Sequence, residues 1–112
     1  MLVDKLMNDP GPLDYYDPAF RQVLEDHLNF FRNHPSTVLL TVEAARAYKY
    51  ESDLFSLMAI YNVPTHFHWL VMRVNKMVMP SESTRNLTSL MIPDFGIVER
   101  IRSAHSTSRS IS

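Results

Sequence analysis

The sequence predicts a small α+β domain, and three observations carry that prediction. The chain has 112 residues, 46% hydrophobic and 21% charged, which is the size and apolar content of a single core. Apolar side chains recur at helical spacing in three stretches, around residues 20–31, 54–61 and 67–74. Short β-branched or apolar runs at Val38–Val42 and Leu90–Ile92 flank the last two of these, so strands and helices alternate. The expected organisation is an N-terminal arm and helix over 1–36, a strand-helix-helix-strand module over 37–95, and a basic, Ser-rich tail over 96–112.

Each element has its own signal. Pro10-Gly11-Pro12 opposes regular structure, and with the exposed-looking pair Tyr15 and Tyr16 it predicts an extended arm over 1–16. Asp17-Pro18 opens a helix, an acceptor at the N-cap followed by proline at the first helical position. Phe20, Val23, Leu24, Leu28 and Phe31 form one apolar stripe on it, and His34-Pro35 ends it because the residue before proline avoids the α region. Val38–Val42 is the first strand. Residues 43–50 are ambiguous: Glu43 to Ala47 favour helix, whereas Tyr48 and Tyr50 alternate as in a strand.

Ser52 or Asp53 caps a helix with the stripe Leu54, Leu57, Met58 and Tyr61, and Asn62-Val63-Pro64 breaks it. Pro64 starts the next helix, whose stripe is Phe67, Leu70, Val71 and Val74, widened by Trp69 and Met72. Leu54, Leu57, Leu70 and Trp69 are the expected core. Pro80–Ser89 reads as loop, and Leu90–Ile92 as a strand stopped by Pro93. Ile97–Ile101 can add a last turn of helix or strand. Beyond it, six of the ten residues from Ser103 to Ser112 are Ser or Thr, a composition predicted not to fold alone.

Composition narrows the chemistry. The absence of cysteine excludes disulfides, zinc–thiolate sites and cysteine nucleophiles. Gly11 and Gly96 are the only glycines and neither lies in a phosphate-cradling run, which argues against a nucleotide-binding enzyme. The net charge of −1 gives no electrostatic case for nucleic acid or an anionic membrane as partner, although it divides unevenly: −3 over 1–35, zero over 36–95, +2 over 96–112. The opening Met1-Leu2-Val3-Asp4-Lys5 lacks the order of a secretory signal, so synthesis in the cytoplasm is expected. His66 and His68, two apart on one helix, diverge and lack the i, i+4 spacing of paired metal ligands. No nucleophile–base pair or carboxylate pair is demanded by any local spacing, so neither enzyme, cofactor nor metal is expected.

The run Glu51-Ser52-Asp53-Leu54-Phe55-Ser56-Leu57-Met58-Ala59-Ile60-Tyr61-Asn62-Val63, with Asn75 after the second helix and the closing pair Ile92-Pro93, resembles the LysM module. The likeness spans 48–93. It is greater to the LysM-like module of baseplate wedge proteins of contractile-tailed bacteriophages: Ile60-Tyr61-Asn62-Val63-Pro64, then Phe67-His68-Trp69-Leu70-Val71-Met72 and Asn75, is similar to their turn-and-helix pattern. The chain departs from glycan-binding LysM modules at the turn glycine, here Glu51, in a longer second helix, and in lacking a glycine before the last strand. Those loops hold sugar in the glycan readers.

This resemblance implies a non-catalytic structural subunit of a virion tail baseplate, present in multiple copies of a sixfold assembly and clamping neighbouring tail subunits. The alternative it implies is a peptidoglycan-binding module used in host cell-wall recognition or lysis. The residues expected to touch partners are Tyr15, Tyr16, Phe20, Phe31, Arg100 and Arg102, from the arm, the first helix and the basic tail.

Overall fold

A computed structural model of the chain describes residues 11–111, with side chains described over 13–106. Residues 1–10 of the arm expected over 1–16, and the last side chains of the Ser-rich tail, lie outside the described residues. The element order is α1 (Gly11–Asp14), α2 (Pro18–Asp26), α3 (Leu28–Asn33), β1 (Val38–Thr41), α4 (Ala44–Lys49), α5 (Leu54–Ile60), a 3-10 turn (Thr65–Phe67), α6 (His68–Val74), β2 (Ser89–Ile92) and α7 (Phe95–Ile111). The strands form one antiparallel pair, Val38 opposite Ile92 through Thr41 opposite Ser89. The molecule is therefore α+β.

The centre of the fold follows its stripes. Leu54, Leu57 and Met58 of α5 and Leu70, Val71 and Val74 of α6 are buried with Phe67, and α6 packs on both α5 and β2. Asp53 caps α5 through its carboxylate to the Ser56 N–H. Helices α5 and α6 end alike. Val63 N–H reaches Met58 O and Asn62 N–H reaches Ala59 O (3.1 and 3.0 Å), while Met77 N–H reaches Met72 O and Lys76 N–H reaches Arg73 O (3.1 and 2.9 Å). Asn62 (φ 63°) and Lys76 (φ 66°) thus occupy the left-handed position that glycine usually fills in this motif.

Asn75 then ties α6 to the sheet. Its side-chain amide donates to Met91 O at 3.0 Å and accepts from Met91 N–H at 2.7 Å. The loop before β2 is anchored by Thr84, fully buried, whose Oγ1 donates to Ala47 O at 2.9 Å.

Several elements differ from expectation. The module holds three helices between its strands instead of two, because 44–49 resolves as helix: Ala47 is buried while Tyr48 points outward. Residues 11–14 form a helical turn, so the extended arm does not reach that far; a proline inside the first turn lacks only an N–H that the turn leaves unused. The expected single helix over 18–33 is two, broken at His27 (φ −103°, ψ 6°). Both still bury the stripe of Phe20, Leu24, Leu28 and Phe31.

Trp69, expected in the core, is only part-buried and lies against it. The tail does not fade after Ile101 but continues as α7 to Ile111. Buried Val98 and part-buried Phe95, Ile97 and Ile101 dock its first turns, and this apolar anchor offsets the poor composition that follows.

Candidate interaction surfaces

Three regions bring polar or aromatic side chains together. The first joins the chain's two ends. α1 packs on α7, and Asp14 Oδ2 accepts from Arg102 Nη1 at 3.2 Å and from Ser106 Oγ at 3.0 Å. Arg102 Nε also donates to Glu99 at 3.0 Å, and Tyr15 Oη donates to the other oxygen of Glu99 at 2.5 Å. Burial, then the Glu99 hydrogen bond, raises the Tyr15 hydroxyl well above its ordinary pKa of 10.0. The Tyr15 ring meets Phe20 and Phe67 edge-on, with centroids 5.4 and 5.0 Å away. Phe67 in turn stacks on Phe95 at 4.1 Å. This is a structural clasp.

The second region is a cleft of about 440 Å³ lined by Tyr16, Arg21, Phe55, His66, Trp69 and Met72, among others. Arg21 Nε donates to Tyr15 O at 2.9 Å, which places the guanidinium 4.9 Å from the Trp69 ring centroid and 5.6 Å from that of Tyr16. His66 leans on Phe67 (4.2 Å), and burial foremost, with His68 adding to it against Glu99, lowers its pKa from 6.5. His68 is buried, its Nε2 paired with Val63 O at 2.8 Å. Both histidines line this cleft, so the expectation that a spacing of two would send them to separate faces is corrected: the 3-10 turn at Thr65–Phe67 that precedes α6 carries His66 to the same side as His68. Among the described residues no group of three or more His, Asp or Glu is placed to hold a metal ion.

The third region is a shallow groove of about 690 Å³ between α3 and α7, lined by His27, Phe30, His34, Asp94, Ile97 and Arg100, among others. Phe30 is 47% exposed. Arg100 is exposed, its Nε 3.5 Å from Gly96 O in its own helix, and it makes no ion pair among the described residues.

Against this geometry the six expected contact residues divide. Tyr15, Phe20 and Phe31 are corrected to core: their relative exposures are 2%, 0% and 1%. The physical reason is that the chain covers these side chains itself: α3, which carries Phe31, packs on α6, the Phe20 ring lies 5.3 Å from that of His105 in α7, and Tyr15 lies against Phe20 and Phe67. Arg102 is part-buried and held by Asp14 and Glu99, so it joins the chain's own ends. Tyr16 and Arg100 do lie at the surface.

Sequence reasoning missed Phe30 and Leu39, the latter 66% exposed. Phe30 carried a signal: it falls off the stripe that Phe31 completes. Searches against known protein families, curated proteins and solved structures find no match for the chain. No helix among the described residues is long and apolar enough to cross a membrane.

Proposed function

We propose that this chain is a structural subunit of a bacteriophage tail baseplate wedge, a non-catalytic clamp between neighbouring tail proteins. The observation that carries the reading is the Ile60-Tyr61-Asn62-Val63-Pro64 turn followed by the Phe67–Met72 segment and Asn75, which resembles the pattern of LysM-like wedge modules. Each of its distinctive positions has a physical task here. Asn62 takes the left-handed turn, Pro64 precedes the short 3-10 entry to α6, and Asn75 holds the edge of β2.

Such a module supplies a rigid body. Tyr16, Phe30, Arg100 and, within the module, Leu39 are outward side chains the chain offers to neighbours, and several modest contacts on one body add through effective concentration. Peptidoglycan binding is the competing reading, and sedimentation with purified sacculi separates the two. A wedge clamp stays in the supernatant at moderate salt. Pelleting that free glycan fragments reverse would replace the clamp by a glycan reader. The complementary test is genetic: deletion of the gene is expected to yield particles without completed tails under the electron microscope, and normal tails would refute the clamp.

A further inference from the structure

The two edges of the small sheet are not equivalent. Val42 N–H donates to Thr88 O at 2.9 Å, one step beyond the paired residues Val38–Thr41 and Ser89–Ile92. In an antiparallel ladder, pairs that exchange hydrogen bonds alternate with pairs that do not. Positions 38, 40 and 42 therefore bond to 92, 90 and 88. Leu39 and Thr41 on β1, and Ser89 and Met91 on β2, turn their N–H and C=O groups away from the partner strand. On β2 both outward groups of Met91 are taken by the Asn75 amide. On β1 the outward groups of Leu39 and Thr41 meet no partner among the described residues.

Nothing in β1 protects this edge. Val38-Leu39-Leu40-Thr41 carries no charge and no proline, the devices that usually blunt an open strand. Val38 and Leu39 are instead 62% and 66% exposed.

We propose that β1 is a pairing edge for a second copy of this chain, the two strands running antiparallel about a two-fold axis at Leu40. The register follows from the positions of the open groups. With Leu40 opposite its symmetry mate, Leu39 faces Thr41 of the other copy and Thr41 faces its Leu39. Each of these pairs exchanges both N–H···O bonds, which satisfies the outward groups of Leu39 and Thr41 and extends the sheet in the order β2-β1-β1′-β2′.

The charge pattern agrees, because Glu43 falls opposite Thr37 of the other copy and no like charges meet across the axis. An uncharged strand with its open groups symmetric about one residue is its own complement. The inference stands independently of the baseplate reading, since it uses only the sheet.

Sedimentation velocity of the full chain over about 1–500 µM, the range of weak dissociation constants, tests it together with amide hydrogen exchange. The expected result is a reversible shift from 13.0 kDa toward twice that mass, with the Leu39 and Thr41 amides slowing as concentration rises. Leu39→Lys, which adds an edge charge and leaves the β1–β2 ladder intact, is expected to weaken the dimer at least about tenfold. Leu39→Pro, which removes an N–H that the ladder does not use, is expected to do the same. A chain that stays monomeric throughout, a dimer in which those two amides exchange as fast as in dilute solution, or a dimer that Leu39→Lys leaves unchanged overturns the proposal.

Discussion

Asn75, Asn62 and Lys76 each do a task that another residue type would do differently, and each makes a measurable prediction. Replacing Asn75 by alanine strips both outward groups of Met91 of their partners. The expected cost is about 1–3 kcal/mol of unfolding free energy in urea, the penalty for part-buried polar groups left unpaired. Lys76→Gly relieves a left-handed backbone that a side chain disfavours by roughly 1–2 kcal/mol. After the extra unfolded-state entropy of glycine is subtracted, a net stabilisation of about 0.5–1 kcal/mol is expected. Asn62→Gly should change less, since asparagine already tolerates that region.

The titrating side chains predict opposite pH limbs. Tyr15 has a folded pKa raised by burial and by Glu99, so its contribution is complete below pH 10 and is lost as pH rises beyond. Tyr15→Phe should flatten the alkaline fall in melting temperature. His66 has a folded pKa lowered by burial, so its contribution is present above 6.5 and is lost as pH falls. His66→Gln should flatten the acid limb.

At the scale of elements, the amphipathic stripes were legible because burial selects period 3.6 directly. Leu54, Leu57 and Met58, and Phe67, Leu70, Val71 and Val74, are all buried as their spacing predicts. The strands were legible for a different reason, as β-branched or apolar runs bounded by breakers, since β1 has no fully buried residue. What escaped depends on partners distant in sequence. Tyr15 reads as exposed because it follows the breaker cluster Pro10-Gly11-Pro12, and its bond to Glu99 and its ring contacts with Phe20, His66 and Phe67 make it core. The tail composition hides a helix because Val98 and Ile101 dock it and Arg102 and Ser106 reach Asp14.

The surface candidates were the least legible for this reason: one-dimensional pattern separates buried from exposed faces but does not say whose core an aromatic enters. A test at this scale is Arg32, whose Nε and Nη2 donate to the carbonyls of Val74 and Arg73 at 2.8 Å each, fastening α3 to the C-terminal end of α6. Arg32→Ala should lower stability by about 1–3 kcal/mol in denaturant titration, since it removes charged donors from terminal helix carbonyls.

At the scale of the whole molecule, the first and last described helices are fastened to each other. Asp14, Tyr15, Glu99 and Arg102 join α1 to α7, and Arg73 and Glu25 join α6 to α2 at 2.5 Å. The aromatic and aliphatic groups turned outward include Phe30 at the α3–α7 groove and Val38 and Leu39 on the β1 edge, while Leu13 and Tyr16 flank the Asp14–Tyr15 clasp. Such fastening suits assembly between larger partners, the role proposed above. Quantitative mass spectrometry of purified tailed particles from the source genome tests that role most directly. The chain is predicted to be present in mature particles at a fixed ratio to the other tail proteins that fits sixfold baseplate symmetry. Its absence from those particles would contradict the assignment.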